Sequence, residues 1–191
     1  MAENKQPVSL FSHIFSSTQK AFQSINTVCD QALLSLFDRL NTSATFVFDR
    51  GFDRGSLFQL FHDHNKNREQ QQYYVIRIKD NRKVCWKNKR LELPVLSAAR
   101  KGKIKTNIQV WNRDRSHLEQ HTVYATHLKV RLTKDLPETF LVFIYGFTEQ
   151  PMILASNRPI RGKDDVVRII CLYMSPERGD GKRCLCPAGA V

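Results

Sequence analysis

The chain has 191 residues, 41% hydrophobic and 10% aromatic, which is apolar enough for a packed core and excludes disorder along the whole length. No stretch approaches the roughly 20 apolar residues of a membrane helix, and residues 1–8 lack the apolar run of a signal peptide, so the expectation is a cytoplasmic protein without a membrane partner. Thirty Lys and Arg against 18 Asp and Glu leave a net charge of +12, which favours a polyanionic partner over a small-molecule substrate.

The excess is concentrated. Between residues 77 and 105 stand eleven basic residues (Arg77, Lys79, Arg82, Lys83, Lys87, Lys89, Arg90, Arg100, Lys101, Lys103 and Lys105) against two acids, Asp80 and Glu92. Neutralised phosphates release condensed counterions, so this segment suits nucleic acid. Binding at a membrane surface usually takes a basic amphipathic helix, and this segment alternates like strands. A merely solvated basic surface is the other reading of the same charges. The five cysteines (Cys29, Cys85, Cys171, Cys184 and Cys186) are odd in number and irregular in spacing, which predicts free thiols rather than a disulfide framework. Cys184 and Cys186 lie too close for the usual zinc spacing.

In chain order, residues 1–23 are polar and irregular. Ile25, Val28, Cys29, Ala32, Leu33, Leu36, Phe37 and Leu40 then recur at three- and four-residue steps, predicting a helix of about four turns with Ser24 at its N-cap. After the break at residues 41–43, Thr45-Phe46-Val47-Phe48 reads as a short buried strand. A second helix is expected over residues 55–64, with Leu57, Leu60, Phe61 and His64 inward. Residues 65–72 form a polar connector. Strands follow at 73–79, 84–86, 108–111, 124–132 and 141–145, and a last short one at 152–155. Asp164 and Asp165 open a helix through Tyr173, their charge suiting the positive end of its dipole. Pro176, Gly179, Gly181, Pro187 and Gly189 then remove any periodicity. The expected organisation is α/β, with a β-rich basic block between two α/β pieces.

Asp49 is the candidate catalytic and metal-binding residue. It ends an apolar strand, where a side chain emerges from an open sheet into a crevice. Carboxylates so placed hold the divalent cations of phosphodiester chemistry, commonly a pair about 4 Å apart. A plain turn, with Asp49 accepting local backbone hydrogen bonds, is an equally good reading of this spacing alone.

The wider run Phe46-Val47-Phe48-Asp49-Arg50-Gly51-Phe52-Asp53 resembles the second-acid motif of bacterial insertion-sequence transposases of the DDE class. Upstream, Lys20-Ala21-Phe22-Gln23-Ser24-Ile25-Asn26 is similar to that family's Lys-x-Phe-x-Ser-x-Asn stretch. Downstream, Tyr73-Tyr74-Val75-Ile76-Arg77 is similar to the strand opening its β-rich insertion. Met152-Ile153-Leu154-Ala155-Ser156-Asn157-Arg158-Pro159-Ile160 is similar to its return strand. The resemblance covers roughly residues 8–174. It implies part of an RNase H-like core over 1–72, a β-rich basic insertion over 73–150, and a return strand with the start of the last core helix over 151–174, followed by an unrelated tail over 175–191. It also implies DNA transposition: recombination by strand cleavage and joining with Mg²⁺ or Mn²⁺, generally as a dimer. Asp49 would be the second of three acids, and Arg50, Arg77 and the basic run from Arg82 to Lys105 would meet DNA.

Two departures limit what carries over. The strand bearing the first acid has no counterpart, since Asp30 and Asp38 fall inside the helical pattern. The last family helix carries Tyr, Arg, Glu and Lys. Tyr173 matches the first, but Pro176, Asp180 and Pro187 stand at the other three positions. Glycine and proline around Asp180 cannot hold it on a helix, and the tail has the look of an out-of-frame extension. The expectation is therefore a fragment lacking two of three acids. Such a fragment would be inactive alone, or a non-enzymatic DNA-binding or inhibitory remnant acting with a homodimer partner or a full-length transposase. Its core is expected to leave an exposed sheet edge. His62 with His64, and His117 with His121 in an expected loop, read as surface histidines. Trp86 and Trp111 suit base stacking or, more often, half-buried sheet positions.

Overall fold

Ser24 starts the first helix as its spacing predicts: its hydroxyl accepts from Thr27 N at 3.1 Å and caps α1 (Ile25–Arg39). The structure, a computed structural model, describes residues 23–112 and 117–174, together with residues 18 and 20 and the backbone of 182–183. After α1 come β1 (Thr45–Phe48), a 3-10 turn (Arg50–Phe52), α2 (Gly55–Asn65) and β2 (Tyr73–Arg77). Next are β3 (Lys83–Trp86), β4 (Lys89–Glu92), α3 (Leu93–Ala98), β5 (Ile104–Asn112) and β6 (His117–Arg131). β7 (Glu138–Tyr145), β8 (Met152–Ser156), α4 (Lys163–Met174) and β9 (Lys182–Arg183) complete the described chain. No described helix is long and apolar enough to cross a membrane.

The fold is mixed α/β, with the strands in one sheet ordered β1-β2-β8-β7-β6-β3-β4, and β5 joining β6. β1 and β2 are parallel, linked across α2, and the other pairings are antiparallel. β1 stands at the edge. Asn157 fastens β2 to the end of β8: its Oδ1 accepts from Tyr74 N at 2.8 Å and its Nδ2 donates to Gln72 O at 3.0 Å.

Alternation along these strands divides the core between the two sheet faces. On one, Phe37 of α1 and Phe58 and Phe61 of α2 pack on Tyr74 and Ile76, with Leu93 and Leu96 of α3 farther along. Phe37, Phe46, Phe48, Phe61 and Tyr74 form successive ring contacts with centroids 5.0–6.1 Å apart, an edge-on packing that aromatic quadrupoles favour. On the other face, Val166, Ile169 and Ile170 of α4 cover Val75, Val142 and Leu154. Asp165 turns back to accept from Arg161 N and Gly162 N at 2.8 and 3.2 Å, satisfying donors that precede α4.

Four expectations change. β4 and α3 lie where the sequence suggests no regular element, because Pro94 suits a first helical turn and the two positive-φ residues Lys87 and Asn88 close a two-residue hairpin. The expected loop holding His117 and His121 is part of β6, whose partner β5 runs the full length of Ile104–Asn112; its polar alternation masks strand character. His64 is buried at 9% exposure and stacks on Phe37 at 4.5 Å, so it is not a surface histidine. Cys29 and Cys85 are free, but Cys171 is disulfide-bonded. Cys184, Cys186 and Asp180 lie outside the described residues, as does most of the tail expected to be irregular, in which Lys182–Arg183 nonetheless pairs with β5.

Candidate functional site

Phe48 is opposite Ile76 in the parallel ladder. The next residues, Asp49 and Arg77, therefore fall side by side at the carboxyl ends of two neighbouring strands. That is where open α/β sheets place ligands. Asp49 is exposed, and its Oδ1 accepts from Gly51 N at 2.8 Å, capping the 3-10 turn. Asp49 thus makes the local hydrogen bond that the plain-turn reading expects, with its side chain exposed at the strand end.

The second acid of the same run behaves oppositely. Asp53 is 4% exposed. Its Oδ2 accepts from Lys79 N at 2.8 Å, and Arg82 Nε lies 2.6 Å from Oδ1. The Arg82 guanidinium also sits over the Phe58 ring, 5.1 Å from its centroid. Arg54 reaches back to α1 and grips Asp30 through both guanidinium nitrogens, at 2.8 and 2.5 Å, the bidentate geometry in which Arg pairs best. These two ion pairs set the path of the loop between β1 and α2 and its contact with the turn after β2. Arg50 meets Asp80 at 3.5 Å with both side chains more than half exposed, a contact of little energetic weight.

The donor set does not fit a two-metal centre. Asp49 has one oxygen committed to Gly51, Asp53 is turned inward onto Arg82, and Arg50 and Arg77 bring positive charge to the strand end. Among the described residues no three His, Cys, Asp or Glu side chains are grouped to hold a metal ion. Tyr173, the match to the last family helix, is buried on α4 at 6% exposure.

Of the residues expected to meet DNA, Lys79, Lys87, Lys89, Arg90, Lys101, Lys103 and Lys105 are exposed. Arg82 is turned inward as described, and Lys83 is 3.2 Å from Glu92 on the neighbouring strand. Trp86 is half-buried, with Lys87 Nζ 4.8 Å and the Arg100 guanidinium 5.1 Å from its ring centroid. The Trp111 side chain is outside the described residues. Sequence reading missed Lys129, Arg131 and Lys134, which join Trp86 and Lys87 around a cleft of about 530 Å³. The signal that finds them is pairing rather than local charge density, since Cys85 on β3 sits opposite Arg131 on β6. Lys129 Nζ bonds Glu138 at 2.6 Å, and this hydrogen bond holds the Glu138 carboxyl below its ordinary pKa.

Comparison with models of known protein families and with curated protein sequences finds no match for the chain.

Proposed function

We propose that the chain is a DNA-binding piece of a DDE-class transposase, with part of an RNase H-like core in β1, α2, β2, β8 and α4. Asp49 takes the place of its second catalytic acid. The observation that carries this reading is the side-by-side placement of Asp49 and Arg77 at the carboxyl ends of two parallel strands, within a run that already resembles the family motif. The exposed lysines and arginines from Lys79 to Lys105 supply phosphate contacts, and their charge would make binding fall steeply with salt. In intact relatives Mg²⁺ or Mn²⁺ would supply the activated nucleophile and stabilise the leaving oxygen. Here one carboxylate leaves such cations undercoordinated, so the chain binds DNA without cutting it.

A second reading, an inhibitory remnant that pairs with a full-length transposase, draws support from the edge position of β1. Thr45-Phe46-Val47-Phe48 carries none of the lysine or proline that usually guards such an edge.

The test is binding of the purified chain to duplex DNA over a salt series, with the basic residues of 77–105 charge-reversed as control. A steep salt slope that flattens in the control supports the reading, and no binding by folded protein refutes it. A Mg²⁺-dependent cleavage activity lost in Asp49→Ala would overturn the claim of inactivity.

A further inference from the structure

β5 and β6 pair over nine positions, from Ile104 opposite Ala125 to Asn112 opposite His117. β7 joins β6 only from Tyr124 onward. The six pairs from Asn107 and Thr122 outward therefore project beyond the β6–β7 ladder as an antiparallel ribbon, about 17 Å long at roughly 3.3 Å per residue. β9 pairs along the outer edge of β5, in the plane of the sheet, so it does not cover the face turned away from α4.

Alternation gives the two faces different chemistry. One carries Ile108, Val123 and Ala125 into the core beneath α4. The other presents Lys105, Asn107 and Gln109 from β5, opposite Tyr124, Thr122 and Gln120 of β6. Five of these six are exposed and Gln109 is half-buried. None is acidic or aliphatic. Thr122 Oγ1 donates to Asn107 Oδ1 at 2.9 Å, linking the two strands across this face. At the foot of the ribbon, Gly102 lets the chain pass so close to Tyr124 that a Cβ there would lie 2.5 Å from the Tyr124 Cβ. Lys103 N then donates to Ala125 O at 2.9 Å. These contacts hold Lys101 and Lys103 beside Tyr124.

We infer that this face enters the major groove of duplex DNA and reads base edges, with Lys101, Lys103 and Lys105 on the flanking phosphates. The inference rests on the DNA-binding reading above and adds sequence discrimination to it. The major groove admits a two-stranded ribbon. Primary amides are suited to adenine, accepting and donating at adjacent positions, and a Thr methyl suits the methyl of thymine. Lysines on phosphate position the ribbon without selecting sequence. An ordinary solvated face would instead carry mixed charge and give no discrimination.

The experiment selects duplexes from a randomised pool with the whole chain, then compares affinity for the selected and a scrambled duplex. The triple variant Asn107→Ala, Gln109→Ala and Gln120→Ala is expected to lose about tenfold or more of the preference, the scale of one bidentate base contact, while binding the scrambled duplex as before. The variant Lys101→Ala, Lys103→Ala and Lys105→Ala is expected to weaken both duplexes alike and to reduce the salt slope by roughly three. Should the triple amide variant misfold, Gln120→Ala alone carries the same expectation at smaller size. Wild-type binding without preference, or a preference that survives in the amide variant, overturns the inference while leaving DNA binding intact. Absence of duplex binding overturns both.

Discussion

At β1 and β2 the sheet is enclosed by aromatic rings from α1 and α2 on one face and by α4 on the other, and Asp53 pairs inward with Arg82. Around the far half of β5 and β6 the same sheet narrows to a ribbon, and its charges and amides face outward. The first region commits its side chains to one another, as in Phe37 with Phe61 and Asp53 with Arg82. The second leaves Lys105, Asn107 and Gln120 exposed to solvent. What separates them is whether a cation finds a buried carboxylate. Substitutions in the first region should register in stability, and those in the second in binding.

The sharpest way to break this division is Phe61→Ala. Phe61 is fully buried at the centre of the ring cluster, and its loss is expected to cost about 3–5 kcal/mol, read as a lower midpoint in urea unfolding. A retained midpoint would mean that the aromatic layer is not what stabilises this end. Next comes the pair of acids in one run. Asp53→Asn leaves Arg82 facing an uncharged group inside the protein and is expected to cost about 3 kcal/mol. Asp49→Asn keeps an oxygen for Gly51 N and is expected to cost less than about 1 kcal/mol. Equal costs would remove the distinction between an acid that builds the loop and one that faces solvent.

β1, α2 and the stripe of α1 were legible in the chain, because the Phe46-Val47-Phe48 run and a helical period are local signals. The roles of the two acids were not. They depend on Lys79 and Arg82 arriving from after β2, and nothing in the spacing of Asp49 and Asp53 announces that. The burial of His64 was half legible: its place on the inner face of α2 follows from periodicity, yet the surface reading of the His62 and His64 pair set it aside. Stacking of Phe37 on its ring depends on α1. β5 was under-read for the opposite reason, since lysine, asparagine and glutamine on its outward positions hide the alternation that Ile104 and Ile108 mark.

His64 supplies a smaller, pH-dependent test. Burial, and after it the positive charge of Arg68, hold its pKa below the usual 6.5, against a weaker upward pull from Asp38. Above that value both folded and unfolded chains are neutral at this residue, so it adds no pH dependence. As pH falls through 6.5 the unfolded chain takes up a proton that the folded chain resists, and stability declines until the folded pKa is passed. The thermal midpoint should therefore fall between about pH 7 and 5 in the wild type, and fall less in His64→Phe. Parallel curves would show that α1 and α2 admit the charged ring.

The smallest effect on stability is expected at the exposed β4 strand. Lys89→Glu with Arg90→Glu should leave the unfolding midpoint within about 0.5 kcal/mol and lower duplex affinity at low salt. A loss of stability with unchanged binding would reverse the assignment of the two regions.

The bond between Tyr74 N and Asn157 Oδ1 joins residues 83 apart in the chain, and it has a kinetic consequence. β3 with β4, β5 with β6 and β6 with β7 are antiparallel neighbours that close over short loops, and local closure is fast. β2 gains its second neighbour only when β8 has been made. On a ribosome, the hairpins of the basic block would form while β1 and β2 still wait half-paired, their apolar edge open to other chains. The order of synthesis thus makes the aromatic-packed end of the sheet the last to be secured.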